Sequence, residues 1–177
     1  MKPIIITGGP GAGKTTLINA LSDLGMSTFE EASRLLIEQQ SQIEGGILPW
    51  DDLPNFARLC MDYMATQKHQ AVQCAPVFMD RAIGDIVAYL RLAELPVEDE
   101  ILKGAAGYHS KVFVCRPEAC IYVQDDVRPY PFEEALRIHE KIVSTYAELG
   151  YEIVNVPWGS VVERVAFVRQ VTGLLPE

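Results

Sequence analysis

Apolar and polar positions along this chain switch between two periods. Short apolar runs of four or five residues, such as Pro3-Ile4-Ile5-Ile6-Thr7 and Pro76-Val77-Phe78-Met79, alternate with longer stretches whose apolar residues recur at helical spacing. Runs of the first kind read as buried strands and stretches of the second kind as amphipathic helices. The first strand is expected at about Pro3 to Thr7, and the first helix at about Lys14 to Leu24, stopped by Gly25. A second strand covers Ser27 to Glu30, and its helix runs from Glu31 to Ile43, ended by Gly45-Gly46. Asp51-Asp52 open a third helix, in which Phe56, Leu59, Cys60, Tyr63 and Met64 share one apolar face. The third strand is Pro76 to Met79, ending at Asp80, and a helix follows from Ile83 to Leu92.

A short polar helix is expected from Val97 to Ala105, then a fourth strand from Lys111 to Cys115. An irregular stretch, Arg116 to Pro131, leads to a helix from Phe132 to Leu149 with Ala135, Ile138, Ile142, Tyr146 and Leu149 inward. Gly150 ends it before a fifth strand, Glu152 to Val156. The last helix begins at Ser160, where Glu163 three residues on completes a capping box. Strands alternating with helices predict an α/β three-layer sandwich, a five-stranded parallel sheet with helices on both faces, folded as one domain over residues 1–177. In such sheets ligands bind beyond the carboxyl ends of the strands. The residues just after each strand are therefore the functional candidates.

After the first strand stands Gly8-Gly9-Pro10-Gly11-Ala12-Gly13-Lys14-Thr15, followed by Thr16. This is the G-x-x-x-x-G-K-[ST] pattern between a strand and a helix, the context that gives it meaning. Glycines let backbone N–H groups curl around an anion, and the helix start adds unpaired N–H groups and the positive end of its dipole. Gly8 through Thr16 are thus the expected nucleotide-binding residues. Lys14 is expected at the β- and γ-phosphates, and Thr15 on Mg²⁺. A bare glycine turn would need neither Lys14 nor Thr15.

After the third strand come Asp80-Arg81 and then Asp85. Asp80 suits Mg²⁺ beside Thr15, and Arg81 suits a phosphate or the substrate. The plainer reading is that Asp80 and Arg81 pair with each other or cap the helix, and Asp85 equally suits a helix start or a substrate contact. After the second strand come Glu30-Glu31 and Arg34. Glu31 is placed to accept a hydroxyl proton from an acceptor, with Arg34 one turn along; the plainer reading is an i,i+3 ion pair. The stretch 116–131 is long for a loop and reads as a lid. Its Arg116 or Arg128 would stabilise charge on a transferred phosphoryl group, while Asp125 and Asp126 offer salt-bridge partners.

The remaining candidates are quieter. His69, His109 and His139 are scattered, with His69 and His139 expected on half-exposed helix faces, and none is given a catalytic role. Trp50 and Trp158 read as packing anchors, Trp158 with some weight toward a stacked base. Cys60, Cys74, Cys115 and Cys120 show no metal or redox spacing and read as buried or inert thiols.

Composition narrows the partners. The chain has 177 residues, a formal net charge of −9, and an ordinary 49% hydrophobic content. A strongly acidic protein repels a nucleic-acid backbone, so nucleic acid is not expected as a partner. No apolar run is long enough to span a membrane, and the sequence opens on its first strand without a signal-peptide pattern; a cytoplasmic protein with reduced thiols is expected.

The chain resembles a known group of P-loop NTPases. The form Gly8-Gly-Pro-Gly-Ala-Gly-Lys-Thr-Thr16 looks like the loop of small-molecule kinases. Glu31-Ala-Ser-Arg34, Asp80-Arg81 with Asp85, Tyr122 to Arg128, Leu149 to Glu152 leading to Val156-Pro157, and Ser160 to Arg164 resemble the predicted ATPase and kinase family that includes the nicotinamide riboside kinase domain. The resemblance spans nearly the whole chain. It implies ATP, Mg²⁺, a kinase-like core with a closing lid, and an adenine-side loop near Pro157 to Ser160.

The leading expectation is transfer of the ATP γ-phosphoryl group to a small metabolite, nucleoside or nucleotide acceptor. The residues in play are Lys14, Glu31, Asp80, Arg81 and Arg128, with Glu31 or Asp80 orienting or deprotonating the acceptor and Glu31, Arg34, Arg81 and Asp85 around it. The alternative is an ATP-hydrolysing or nucleotide-dependent switch without such an acceptor. Against a GTPase form, the sequence has no N-K-x-D and no D-x-x-G after the third strand, and a motor ATPase would need a helical lid domain for which 177 residues are too few.

Overall fold

The computed structural model describes residues 1–74, 76–124 and 130–174. Five strands form one sheet: β1 (Ile4–Thr7), β2 (Ser27–Phe29), β3 (Val77–Asp80), β4 (Lys111–Val114) and β5 (Glu152–Asn155). The helices are α1 (Lys14–Asp23), α2 (Ala32–Ser41), α3 (Leu53–Ala71), α4 (Ile83–Leu92), α5 (Asp99–Gly104), α6 (Phe132–Glu148) and α7 (Val161–Thr172). All strand pairs are parallel, in the order β2-β3-β1-β4-β5. β1 is central, with Ile6 opposite Asp80 of β3 and Thr7 opposite Val114 of β4. The loop after β1 is therefore flanked by the loops that leave β3 and β4.

The period of two along each strand decides which face each residue serves. Ile4, Ile6, Phe78 and Phe113 pack with Leu17, Leu21, Val165 and Val168 of α1 and α7. Ile5, Val77, Met79, Val112 and Val114 pack on the opposite face with Ala88 of α4 and with Ile138, Ile142 and Tyr146 of α6. Both faces are covered, which is why β1, β3 and most of β4 read as continuous apolar runs rather than alternating ones. A third apolar cluster lies away from the sheet, where Leu36, Phe56, Cys60, Met64, Leu90 and Ile101 join α2, α3, α4 and α5. That cluster holds α2 and α3 out beyond the strand ends and so builds one wall of the site.

Local signals place the helix starts. The Asp52 side chain accepts from the Asn55 N–H at 3.2 Å and fixes α3. Ser160 and Glu163 form the expected capping box on α7. Glu31 stands just before α2 in an extended conformation rather than inside it. Among the described residues, no helix is long and apolar enough to cross a membrane. Two surface expectations are corrected. Cys60 and Cys115 are buried, but Cys74 and Cys120 are exposed. Trp50 and Trp158 are 66% and 53% exposed, so neither is a packing anchor.

Candidate active site

The loop after β1 is built on close backbone approach. Gly8 has φ 134°, and a Cβ there would lie 1.9 Å from the Cys115 carbonyl oxygen at the end of β4. Only glycine fits. The described residues of the 116–131 stretch cover the loop from above: the Glu118 N–H donates to the Gly11 carbonyl at 3.2 Å, and Tyr122 packs against Gly11. Gly13 caps the start of α1 in the left-handed region. Lys14 is 7% exposed and donates to the Gly9 carbonyl at 2.9 Å, folded back over its own loop. Burial and the nearby Arg81 lower its ammonium pKa to about 8, against Glu31 and Asp80, which raise it.

A cavity of about 1010 Å³ opens from this loop. Pro10 to Thr16 line one end; Glu31, Ser33, Arg34 and Glu38 line it from α2 and the residues before it. Trp50, Leu53, Phe56, Met64, Ile86 and Tyr89 supply a largely apolar wall. Arg81 and Asp85 lie at the junction of the two regions. Concave, mostly apolar sites with a few convergent polar groups are the usual form of a small-molecule pocket.

Arg81 is held hard. It is a non-glycine residue at φ 66°, a conformation that costs energy and gathers at functional sites. Its Nε lies 3.2 Å from Glu31 Oε1, and its Nη1 donates to Asp85 Oδ1 at 3.0 Å. Asp85 is 1% exposed and is itself saturated. It also accepts from Thr7 Oγ1 at 2.5 Å, the Ala82 N–H at 3.1 Å and the Tyr146 hydroxyl at 2.7 Å. Burial keeps the Tyr146 phenol protonated, well above its ordinary range, so it stays a donor.

Burial acts to raise the Glu31 carboxyl, but Arg81, Lys14 and the Ser33 hydroxyl outweigh it and hold Glu31 below the usual carboxylate range. Asp80 is different. Burial and the Glu31 charge push it up to about 6, against Lys14 and Arg81. Its Oδ1 is buried with no hydrogen-bonding partner among the described residues. An orphaned carboxylate oxygen near Lys14 is a fitting ligand for a divalent cation. Among the described residues, no group of three or more His, Cys, Asp or Glu could hold a metal, so a cation here would take most of its ligands from elsewhere.

The structure brings together Gly11 to Thr16, Glu31, Arg34, Arg81 and Asp85 on one cavity. The simple pairings of the plainer sequence reading are not formed. Glu31 pairs with Arg81 rather than Arg34, and Arg81 pairs with Asp85 rather than Asp80. Arg34 is exposed on the cavity wall. Arg128, Asp125 and Asp126 lie outside the described residues.

Two residues that sequence reasoning passed over also reach the loop. His139 is buried, not half-exposed, and its Nδ1 accepts from the Gly9 N–H at 3.3 Å. Burial, Arg116 and Lys14 push its pKa down to about 4, which keeps the acceptor nitrogen free of a proton. Arg164 donates to the Ala12 and Gly13 carbonyls. Both come from helices far along the chain, and only their inward positions on α6 and α7 could have flagged them.

No curated protein sequence matches this one significantly. Solved structures do. The NadR protein in complex with NR is 22% identical with a TM-score of 0.72, the match covering 99% of this chain and 52% of that one. This chain thus spans about half the length of NadR. Deoxyadenosine kinase from M. mycoides is 15% identical with a TM-score of 0.62, covering 98% of this chain and 100% of that one. Thymidylate kinase from Candida albicans is 15% identical with a TM-score of 0.62, covering 98% and 91%. At these identities the likeness is one of fold. The model of the AAA domain family matches residues 3–164, and the chain belongs to that family, as a P-loop NTPase with the α/β fold of small-molecule kinases.

Proposed function

We propose that the protein is an ATP-dependent, Mg²⁺-dependent kinase that transfers the γ-phosphoryl group to a small metabolite, nucleoside or nucleotide. The observation that carries this reading is the single cavity shared by the phosphate loop and the Glu31–Arg81–Asp85 array. Plain hydrolysis needs no second compartment with an apolar wall. Phosphoryl transfer needs one, to hold an acceptor in line and exclude water. Structures of the same fold support it: NadR solved with NAD and AMP-PNP, and shikimate kinase from Acinetobacter baumannii solved with shikimate.

The roles follow from chemistry. Residues 8–16 bind the phosphate chain of ATP through backbone N–H groups. Lys14 leaves the Gly9 carbonyl to meet the β- and γ-phosphates, where a bound anion raises its depressed pKa and secures its charge. Thr15 and Asp80 hold Mg²⁺, which when bound neutralises charge on the phosphate oxygens. Glu31, kept ionised, orients the acceptor hydroxyl and takes its proton. Arg81 stabilises the transferred group, and Asp85 acts through it, fixing the guanidinium rather than touching the acceptor. Arg34 faces the acceptor from the cavity rim. Residues 116–124 cover the loop as part of a lid, and residues 1–177 act as one kinase-like domain. Surface thiols at Cys74 and Cys120 suit the reducing cytoplasm.

The test is direct. Purified protein is given Mg-ATP and a pool of nucleosides, nucleotides and hydroxyl metabolites, and ADP release is followed. One compound should raise the rate well above that of the protein alone, and Lys14→Ala should abolish the gain. Tight ATP binding with no compound raising the rate would replace the kinase reading with a nucleotide switch.

A further inference from the structure

Arg164 closes the last stretch that carries the family resemblance, yet no motif argument gives it a task. It sits in the first turn of α7 and is 5% exposed. Its Nη2 donates to the Ala12 carbonyl at 3.1 Å, and its Nη1 lies 3.4 Å from the Gly13 carbonyl as a second, longer bond. Among the described residues no carboxylate pairs with it and its Nε has no acceptor within hydrogen-bonding distance; the side chain that interacts with it at the end of β4, Cys115, is a thiol whose pKa burial raises, so it offers no counter-charge. The exposed Trp158 ring lies with its centroid 6.0 Å from the guanidinium carbon. A buried cation without an anion is costly, and a protein that keeps one usually has a use for it.

The geometry identifies that use. In a trans peptide the C=O and the following N–H point in opposite directions. With the Ala12 and Gly13 carbonyls turned toward Arg164, the N–H groups of Gly13 and Lys14 point away from α7. Ala12, Gly13 and Lys14 all line the cavity. A donor on each carbonyl also polarises the peptide and strengthens its N–H. Gly13 admits this arrangement because it has φ 69° and because a Cβ there would meet Arg164 Nη1 at 2.8 Å. Behind the loop sits a charge with no counter-ion among the described residues; in front of it is the place where the loop would hold phosphates.

We propose that Arg164 is a positioning residue of the nucleotide site, a cation held behind the phosphate loop whose counter-ion is the phosphate chain of the bound nucleotide, felt through the Ala12–Gly13 and Gly13–Lys14 peptides. The inference rests on the loop binding nucleotide and goes one residue deeper. It differs from a structural staple in what it predicts for the free protein. Removing a staple lowers stability. Removing an uncompensated cation leaves the free protein as stable or more so, and weakens only the bound state.

The experiment uses the whole chain with Arg164→Met and Arg164→Gln, two probes (Mg-ATP and inorganic tripolyphosphate), calorimetric titration, and the melting temperature without ligand. Expected are melting temperatures no lower than wild type and dissociation constants about tenfold or more higher for both probes. A lower melting temperature with unchanged affinities makes Arg164 a staple and overturns the proposal. Weakened ATP binding with unchanged tripolyphosphate binding makes it a base contact shared with Trp158, and also overturns it. If only the Gln variant folds, its tripolyphosphate affinity decides alone, an unchanged value being fatal. Wild type that binds neither probe sinks the nucleotide-site reading itself, a result distinct from wild type that binds while the variants match it.

Discussion

Arg81 Nη1 and Asp85 Oδ1 are 3.0 Å apart, and the same oxygen accepts from Thr7 at the end of β1. The guanidinium at the end of β3 is thereby tied to the strand that carries the phosphate loop. Asp85→Asn removes the anion while keeping the shape. Loss of one partner from a buried pair is severe because the other charge remains. We expect a loss of about 3–5 kcal/mol in urea unfolding and at least about a tenfold drop in transfer, with ATP affinity nearly unchanged. Undiminished turnover would show that Glu31 alone aims Arg81.

Glu31→Gln separates proton transfer from binding. A general base typically contributes about 10²–10⁴-fold. The substitution should cut acceptor phosphorylation by that order and leave the ATP dissociation constant within about threefold. Steady-state kinetics and equilibrium titration read the two quantities. Transfer near the wild-type rate would remove Glu31 from the chemistry.

Gly84→Ala tests the packing that seats Asp85. A Cβ at Gly84 would lie 2.4 Å from the Tyr146 ring, where α4 packs on α6. Overpacking of a tight core costs about 1–3 kcal/mol. Tyr146→Phe should not relieve it, since the clashing atom is a ring carbon, and should itself cost about 1.5–3 kcal/mol through the hydrogen bond lost at the Asp85 carboxylate. Chemical denaturation of the two single variants and the double variant checks both statements.

His139 gives the fold an acid-sensitive contact. It titrates near pH 4 in the folded protein, below the ordinary histidine value of about 6.5. Well above pH 6.5 it is neutral in both states and nothing is lost. As the pH falls toward 4, the unfolded chain binds a proton that the folded chain does not, so stability declines through that window. The full effect is roughly 3 kcal/mol, of which about 2 kcal/mol has gone by pH 5. His139→Gln retains an acceptor for the Gly9 N–H without titrating. Urea midpoints at pH 7 and pH 5 should therefore differ less in the variant than in wild type; equal differences would assign the acid sensitivity to other groups.

The elements were legible because their signals are local. The helix Ile83–Leu92 and the strand Lys111–Val114 follow from apolar period and turn residues within a few positions, and the loop from its own nine residues. The pairings were not legible, because they join elements far apart in sequence. Glu31 meets Arg81 fifty positions on, and Tyr146 meets Asp85 sixty-one positions back. The plainer alternative, a Glu31–Arg34 pair, fails for a physical reason: Glu31 has φ −61° and ψ 110°, outside the helix, and the i,i+3 rule holds only when both residues are helical. His139 was misjudged because one face of α6 turns toward the loop as well as the sheet, which the apolar stripe of that helix does not record.

The chain contains two tryptophans, and neither is buried. Trp50 lines the wall of the cavity formed with α3, while Trp158 lies over Arg164 behind the phosphate loop. The protein therefore carries two native fluorophores, one lining the cavity and one behind the phosphate loop. On the proposed reading, emission with Trp158 replaced by Phe reports on the acceptor compartment, and with Trp50 replaced it reports on the nucleotide loop. The order in which the two compartments fill becomes an optical measurement that needs no label.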